Sequence, residues 1–310
     1  MVEREQAGRL LLPGLDGGNL LAFLAALGTL RGLAVVWPNR RVRLFWVRRD
    51  VWRPALQVAE GVLGQDEVLD GLERFFEMRP GHEVLNIGDN LNVSPDQFRR
   101  HAQAAAQTAS PSLTARAMSD FVASFACEVL EDGAGRVRDT AFRTMSGAGH
   151  QHFLKTMRNL AIRTTRDSVQ RCLFGQWARQ DEQLSLRWDA EDDRRYALRW
   201  RDPSKEVTRT EWGANRLAYE ALPLFPVAPV GGTLATTGFS GRGSRDTFFT
   251  WPIWEAPIEV QTVRSLLALR GLQDERPDRA ALAARGVVEV YRSQRITVDK
   301  YRNFCPARPV

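Results

Sequence analysis

The sequence predicts a mixed α+β fold, helix-rich in its N-terminal half, with a mostly antiparallel sheet in its C-terminal half. Two observations predict it. Apolar residues recur at helical spacing through most of the chain up to about residue 180. Beyond that point, short runs rich in aromatic and β-branched residues alternate with turn residues, as strands do. A third observation sets the scale: 310 residues at 44% hydrophobic content can bury a large core. That core belongs either to a helix-rich part over 1–180 with an N-terminal hairpin and a mixed α/β part over 181–310 with an Arg-bearing loop, or to one continuous domain.

The first element follows the Gly-rich turn at Leu15–Gly18. Asn19 is placed to cap a helix in which Leu20, Phe23, Leu24, Leu27 and Leu30 build one face. Ala22, Ala25, Ala26 and Gly28 fill much of the remaining circumference, so the helix is expected to be covered by protein on most sides. Arg31 interrupts the apolar run, which is too short for a bilayer and follows the charged start Glu3, Arg4 and Glu5; a buried helix is expected, not a signal peptide or a membrane span.

Val35–Trp37 and Val42–Val47 read as two strands around Pro38-Asn39-Arg40. Trp52 to Met78 reads as helical with a break near Gly64, and Glu83–Ile87 as strand-like. Ser94-Pro95-Asp96-Gln97 carries a capping Ser, Pro at the first helical position and the Gln of a capping box. Leu113–Leu130 reads as a helix turning Phe121, Val122, Phe125 and Val129 inward. Thr140–Ala161 passes from a strand through a small-residue turn into a helix, and Arg166–Arg179 is a second helix. Strands are then expected at Leu184–Trp188, Arg195–Trp200, Thr233–Phe239, Thr247–Trp254 and Val287–Val290, with helices at Trp212–Glu220 and Ile258–Leu269.

The charge is more telling in kind than in size. The net charge is +6, and all but three of the 43 basic side chains are arginines, the exceptions being Lys155, Lys205 and Lys300. Guanidinium groups make planar, bidentate contacts with phosphate and carboxylate, so a polyanionic partner is favoured where the arginines cluster. Codon bias produces the same Arg-for-Lys excess without any partner. Four clusters stand out. Arg40, Arg41, Arg48 and Arg49 rim the first hairpin, and Lys155 and Arg158 follow the turn Ser146–Gly149, whose helix would present free amides to an anion. Arg242 and Arg245 lie in the loop Ser240–Arg245, flanked by Phe239, Phe248, Phe249 and Trp251. Arg292, Arg295, Lys300 and Arg302 alternate with Tyr291, Tyr301 and Phe304 near the C-terminus. Arginines for phosphates beside aromatics for bases are the composition of a nucleic-acid surface; a solvated rim over buried aromatics has the same composition.

Metal and cofactor chemistry finds little footing. Cys127, Cys172 and Cys305 are scattered and odd in number, as in a reduced cytoplasmic protein, and no CxxC pair suggests zinc. His150 and His152 diverge by about 200° at a helix start, too far to share an ion. No P-loop or other cofactor motif is present, so no cofactor is expected.

Four segments resemble a known family: LPGLDGGNLLAFLAALGTLRGL, SGAGHQHFLKTMRNLA, WGANRLAYEALPLFP and VVEVYRSQRITVDKYRNF. They are similar to proteins of type I-G (formerly I-U) CRISPR loci, the family usually called the Cas-three extension and, more distantly, the large subunit of that effector. The resemblance implies a prokaryotic antiviral protein whose partners are DNA or guide RNA and the other effector subunits, including the helicase-nuclease, with no membrane involved. Large subunits of such complexes check the short flanking motif and hold displaced strands while base pairing reads the sequence. The family contributes no residue-level motif, so the cation choices rest on local chemistry.

The expected function is therefore a non-catalytic nucleic-acid-binding subunit. Two alternatives are a metal-dependent nuclease, using Asp89 or the group Asp189, Glu191, Asp192 and Asp193 with His150 or His152, and an assembly scaffold whose arginines pair with acidic proteins. For the leading reading, replacing Arg242 and Arg245 together by Ala weakens DNA binding and flattens its salt dependence by about one counterion per lost phosphate contact. Binding isotherms across a salt series check this; an unchanged slope takes the loop off the DNA backbone.

Overall fold

The computed structural model describes residues 8–145, 152–192, 207–241, 246–298 and 301–310. The α+β class is as expected, with helices concentrated in the N-terminal half and a five-stranded antiparallel sheet near the C-terminus. In chain order, β1 (Arg9–Leu11) leads into α1 (Leu20–Val36), then β2 (Arg43–Arg48), β3 (Trp52–Gln57), α2 (Gln65–Met78), a 3-10 helix at His82–Ile87, α3 (Pro95–Thr108), α4 (Ala117–Phe125), β4 (Ala126–Glu131) and β5 (Val137–Asp139). Next come α5 (Phe153–Arg163), α6 (Arg166–Phe174), β6 (Asp181–Glu182), a 3-10 turn at Ala190–Asp192, β7 (Arg209–Thr210), α7 (Trp212–Glu220) and a 3-10 turn at Leu222–Leu224. The chain closes with β8 (Val227–Val230), β9 (Thr233–Thr236), β10 (Phe239–Ser240), β11 (Thr247–Trp254), α8 (Val260–Leu267), a 3-10 turn at Arg270–Leu272, α9 (Arg279–Ala283), β12 (Val287–Val298), β13 (Tyr301–Phe304) and β14 (Arg308–Pro309).

α1 is the axis of the molecule. Asn19 caps it by accepting from the Ala22 amide at 3.0 Å, and nearly every residue from Leu20 to Val35 is buried. A three-stranded sheet, ordered β1-β3-β2, covers one flank. The larger sheet runs β10-β11-β12-β13, with β14 also on β12. The two sheets are joined where Leu44 and Ile258 exchange backbone bonds of 2.9 and 3.1 Å and the Trp254 indole donates to the Leu44 carbonyl at 2.8 Å. Phe23 of α1 lies against Trp46 of one sheet and Trp251 of the other, with ring centroids 5.8 and 5.7 Å away. The hydrophobic core accordingly draws on residues from Leu12 to Phe304, across both halves of the chain.

On its other side α1 crosses α7 in very close contact. A Cβ on Gly28 would lie 1.8 Å from the Leu217 carbonyl oxygen, so only glycine lets the two backbones approach. Charge is buried in this crossing. Arg31 and Arg216 both pair with Glu220, to which the His82 ring bonds at 2.7 Å, and all but His82 are 2% exposed or less. Arg31 also lies over the rings of Phe75 and Phe121, and Arg216 over those of Phe76 and Tyr219. Burial pushes the Glu220 carboxyl up, but Arg216, His82 and Arg31 outweigh it and hold the group at about 2.

Several elements depart from the sequence reading, each where tertiary pairing overrode local pattern. Val35 and Val36 stay helical because Val35 is buried at the end of α1, so the first hairpin is β2–β3, with Arg48 opposite Trp52. The stretch expected to begin a helix at Trp52 is therefore the central strand of its sheet. Glu83–Ile87 lies within a 3-10 helix that follows Gly81, whose φ is 78° and whose Cα sits against Ala117 and Met118. The helix expected to reach Leu130 ends at Phe125, where Ala126 turns extended to pair with Asp139, which leaves Val129 exposed. Leu184–Trp188 is irregular, because Gln183, Leu184 and Arg187 hold left-handed φ values of 61°, 51° and 59°, incompatible with a strand. The expected strand at 195–200 lies outside the described residues.

Two measurements test this framework. Gly28→Ala gains up to about 1 kcal/mol of helix propensity but forces apart a backbone contact, and the net loss in denaturant unfolding is at least about 2 kcal/mol. Because Glu220 titrates below its ordinary 4.5, its contribution to stability is complete above that pH and is lost as the pH falls toward about 2. Glu220→Gln leaves two buried guanidiniums short of a counter-charge, lowers neutral-pH stability by about 3–5 kcal/mol and flattens the acid limb of the Tm–pH curve.

Candidate nucleic-acid interface

Most of the arginines singled out by sequence have partners inside the protein. Arg40 pairs with Glu67 and lies 4.8 Å over the Trp37 ring, tying α1 to α2. Arg41 donates to Glu259 at 2.6 Å, an exposed pair. Arg158 donates to the Leu85 and Gly88 carbonyls and to Asp89 at 2.6 Å, clamping the end of the 3-10 helix. Arg292 is buried, bonded to the Thr250 hydroxyl and to the carbonyls of Leu272, Asp274 and Glu275, so it fastens β12 to the turn beneath it. Of these selected cations, Arg48, which lies 5.4 Å over the Trp52 ring, Arg49 and Lys155 are, with Arg41, the exposed ones among the described residues. Arg242, Arg245, Lys300 and His150 lie outside the described residues.

The start of α5 differs from the anion cradle expected there. Its first amides are already satisfied: Phe153 donates to the Asn90 side chain at 2.7 Å, and Leu154 and Lys155 donate to the Asp89 carbonyl at 3.0 and 3.2 Å. The loop at Asp89-Asn90 occupies the place an anion would take.

A second arginine cluster emerges in its stead. Arg143, which the sequence reading did not select, bonds to Asp139, to Asn92 at 2.6 Å and to the Met145 carbonyl at 2.8 Å. Arg295 donates to the Ala141 carbonyl at 2.7 Å, and Arg302 to the Arg143 carbonyl at 3.2 Å. Strand register explains the convergence. Arg295 faces Thr247 on one side and Phe304 on the other, while Arg302 faces Thr297, so both guanidiniums leave the same face of the sheet. That face is packed by an aromatic cluster in which Phe142 touches Phe225, Phe239 and Phe249 with centroids 4.9–5.1 Å away. The arginines sit at its rim, at the end of the sheet where residues 242–245 connect β10 to β11.

Electrostatically, this cluster is unbalanced. Among the described residues three guanidiniums surround one carboxylate, that of Asp139, and the Arg295 Nε is buried without a partner. Burial pushes the Arg295 guanidinium down to about 10, helped by Arg302, with Asp139 opposing. Burial also lowers Arg302 and raises Asp139. Such a surplus is stabilised by an anion, and phosphate fits guanidinium geometry.

The acidic candidates are engaged elsewhere. Asp189 accepts from Asn19 at 2.9 Å and from Arg179 at 3.1 Å. Asp192 bonds to the Ser185 hydroxyl, and burial, with Asp189 nearby, raises its carboxyl to about 7. Asp89 pairs with Arg158, and the His152 ring lies 3.4 Å from the Asn90 amide. Glu191 is exposed, and Asp193 is outside the described residues. Among the described residues, no three His, Cys, Asp or Glu side chains are placed to hold one metal ion.

A cavity of about 480 Å3 opens at the start of α1, between the turn at 13–19 and the end of α6. No signal in the sequence reading marked it, because its wall at 174–179 meets the first turn only in the folded chain. Among the described residues, no helix is long and apolar enough to cross a membrane. No family model, curated protein or solved structure matches the chain significantly.

Proposed function

We propose that the chain is a non-catalytic nucleic-acid-binding subunit or accessory module of a type I CRISPR RNA-guided complex. The observation that supports the binding reading is the cluster of Arg143, Arg295 and Arg302 around Asp139, the one carboxylate among the described residues there. A phosphodiester lying against this cluster supplies the counter-charge that burial demands. Each of the three guanidiniums is held by a main-chain carbonyl of residues 141–145. The assignment to a CRISPR effector rests on the four resembling segments, and the partners it brings are the guide RNA, the target DNA and the other subunits.

Binding of the purified chain to labelled single-stranded DNA, duplex DNA and RNA across a salt series, with magnesium present, tests this. The expected result is salt-sensitive binding without cleavage, about tenfold weaker in Arg302→Ala, with a salt slope lower by about one. Arg302→Lys keeps the charge and most of the slope, and an unchanged Tm in both variants separates binding from folding. Absence of binding at low salt favours the protein scaffold, and metal-dependent cleavage favours the nuclease.

A further inference from the structure

The cavity at the start of α1 has fixed walls. Gly14 donates to the Leu173 carbonyl at 2.9 Å, and a Cβ there would lie 2.2 Å from the Cys172 carbonyl oxygen, so the first turn is seated directly on the end of α6. Asn19 and Arg179 both bond to Asp189, and Trp177 donates its indole N–H to the Cys172 carbonyl at 3.0 Å. Left-handed backbone occurs at Arg179 on the rim, and at Gln183, Leu184 and Arg187 farther along the same segment, none of them glycine. Each such residue costs about 1–2 kcal/mol, and strain of this kind persists where the surrounding structure holds a site in shape.

What the cavity offers a ligand follows from which of its groups are already used. Arg53 donates to both oxygens of Asp50 and to the carbonyls of Pro13 and Leu15, and Arg179 is held by Asp189. Their charges are balanced, so the cavity does not call for a phosphate. Four features remain: the half-buried rings of Phe174 and Trp177, the exposed Gln176 amide at the rim, and the Asp16 carboxylate, which spends only Oδ1 on the Gly18 amide at 2.8 Å. Planar apolar walls beside an acidic acceptor suit a planar ligand that donates hydrogen bonds from its edge.

We propose that this cavity receives one unpaired nucleobase bearing an exocyclic amine: adenine, cytosine or guanine. The amine donates to Asp16 while the ring lies against Trp177 and Phe174. Uracil and thymine have no exocyclic amine, and their one edge donor, N3–H, is flanked by two carbonyl oxygens that the carboxylate repels. For the strand that delivers the base, the proposal rests on the nucleic-acid reading above, and the fold provides a route. The segment whose Asp189 braces the cavity also touches the arginine cluster: the Thr144 hydroxyl donates to the Leu186 carbonyl at 2.8 Å, and the Trp188 indole to the Phe142 carbonyl at 2.9 Å. One piece of chain thus contacts the residues of both sites.

Free nucleosides, which carry no phosphate, separate this proposal from the nucleic-acid reading. Tryptophan fluorescence and NMR chemical shifts are followed during titration of the full chain with adenosine, cytidine, guanosine and uridine. Saturable binding of the first three is expected, at least about tenfold tighter than that of uridine. Trp177→Leu abolishes it, while Asp16→Asn, which keeps an oxygen for the Gly18 amide, collapses the preference over uridine. A Tm equal to that of the parent shows that either variant is folded. The proposal is overturned by uridine binding as tightly as adenosine, by no saturable response to any nucleoside, or by spermidine or argininamide binding in their place. Loss of polymer binding with retained nucleoside binding would refute the phosphate site alone.

Discussion

Everything in the structure depends on how closely α1 and α7 approach. The contact of Gly28 with the Leu217 carbonyl brings Arg31 and Arg216 onto the two carboxylate oxygens of Glu220, in a buried setting where their attraction is strong. A buried ion group of this kind adds little net stability over apolar packing, yet breaking it is expensive. It therefore acts as a register lock: any slide of α7 along α1 separates these buried charges from one another. With α7 fixed, α6 is fixed as well, because Gly213 packs against the Ser168 carbonyl. The end of α6 in turn supplies one wall of the cavity at the start of α1.

The chain's arginines divide into two populations. One works as internal fastening: Arg158 and Arg292 each bridge several carbonyls, using the fan of donors that lysine lacks. The other is the group of Arg143, Arg295 and Arg302, where positive charge gathers faster than the described protein neutralises it. Composition alone merges the two, since a guanidinium looks the same whether it serves a carbonyl or a phosphate. Burial and unmet hydrogen bonding distinguish them. The cavity shows the reverse economy, with arginines fully matched by carboxylates and one carboxylate left to address a donor.

Local signals were legible wherever a side chain acts on its own neighbourhood. The caps at Asn19 and Ser94, the all-round apolar surface of α1 and the strand at Thr247–Trp254 stand in the structure as the residues indicate. Patterns shared by two kinds of element were not. Trp52, Ala55 and Leu56 suit a helix or a strand equally, and pairing with β1 and β2 decides for the strand. Val129 fits an inward helical face until the chain leaves the helix at Ala126. Of the interface, Arg295 and Arg302 were visible as part of a basic and aromatic run, but Arg143 stands some 150 residues away and carried no distinguishing neighbour.

By itself the sequence determined the fold class, the buried first helix, the basic balance and its arginine character, because these follow from periodicity, capping and composition. Only the tertiary structure decided which arginines serve the protein's own carbonyls, that Asp189 and Asp192 are held by Arg179, Asn19 and Ser185, and that a cavity opens beside Asp16 and Trp177. The physical reason is range. Helix faces and caps are set by residues within about four positions of one another. The charge state and free valence of a side chain depend on whatever the folded chain brings within hydrogen-bond distance, from any position along it.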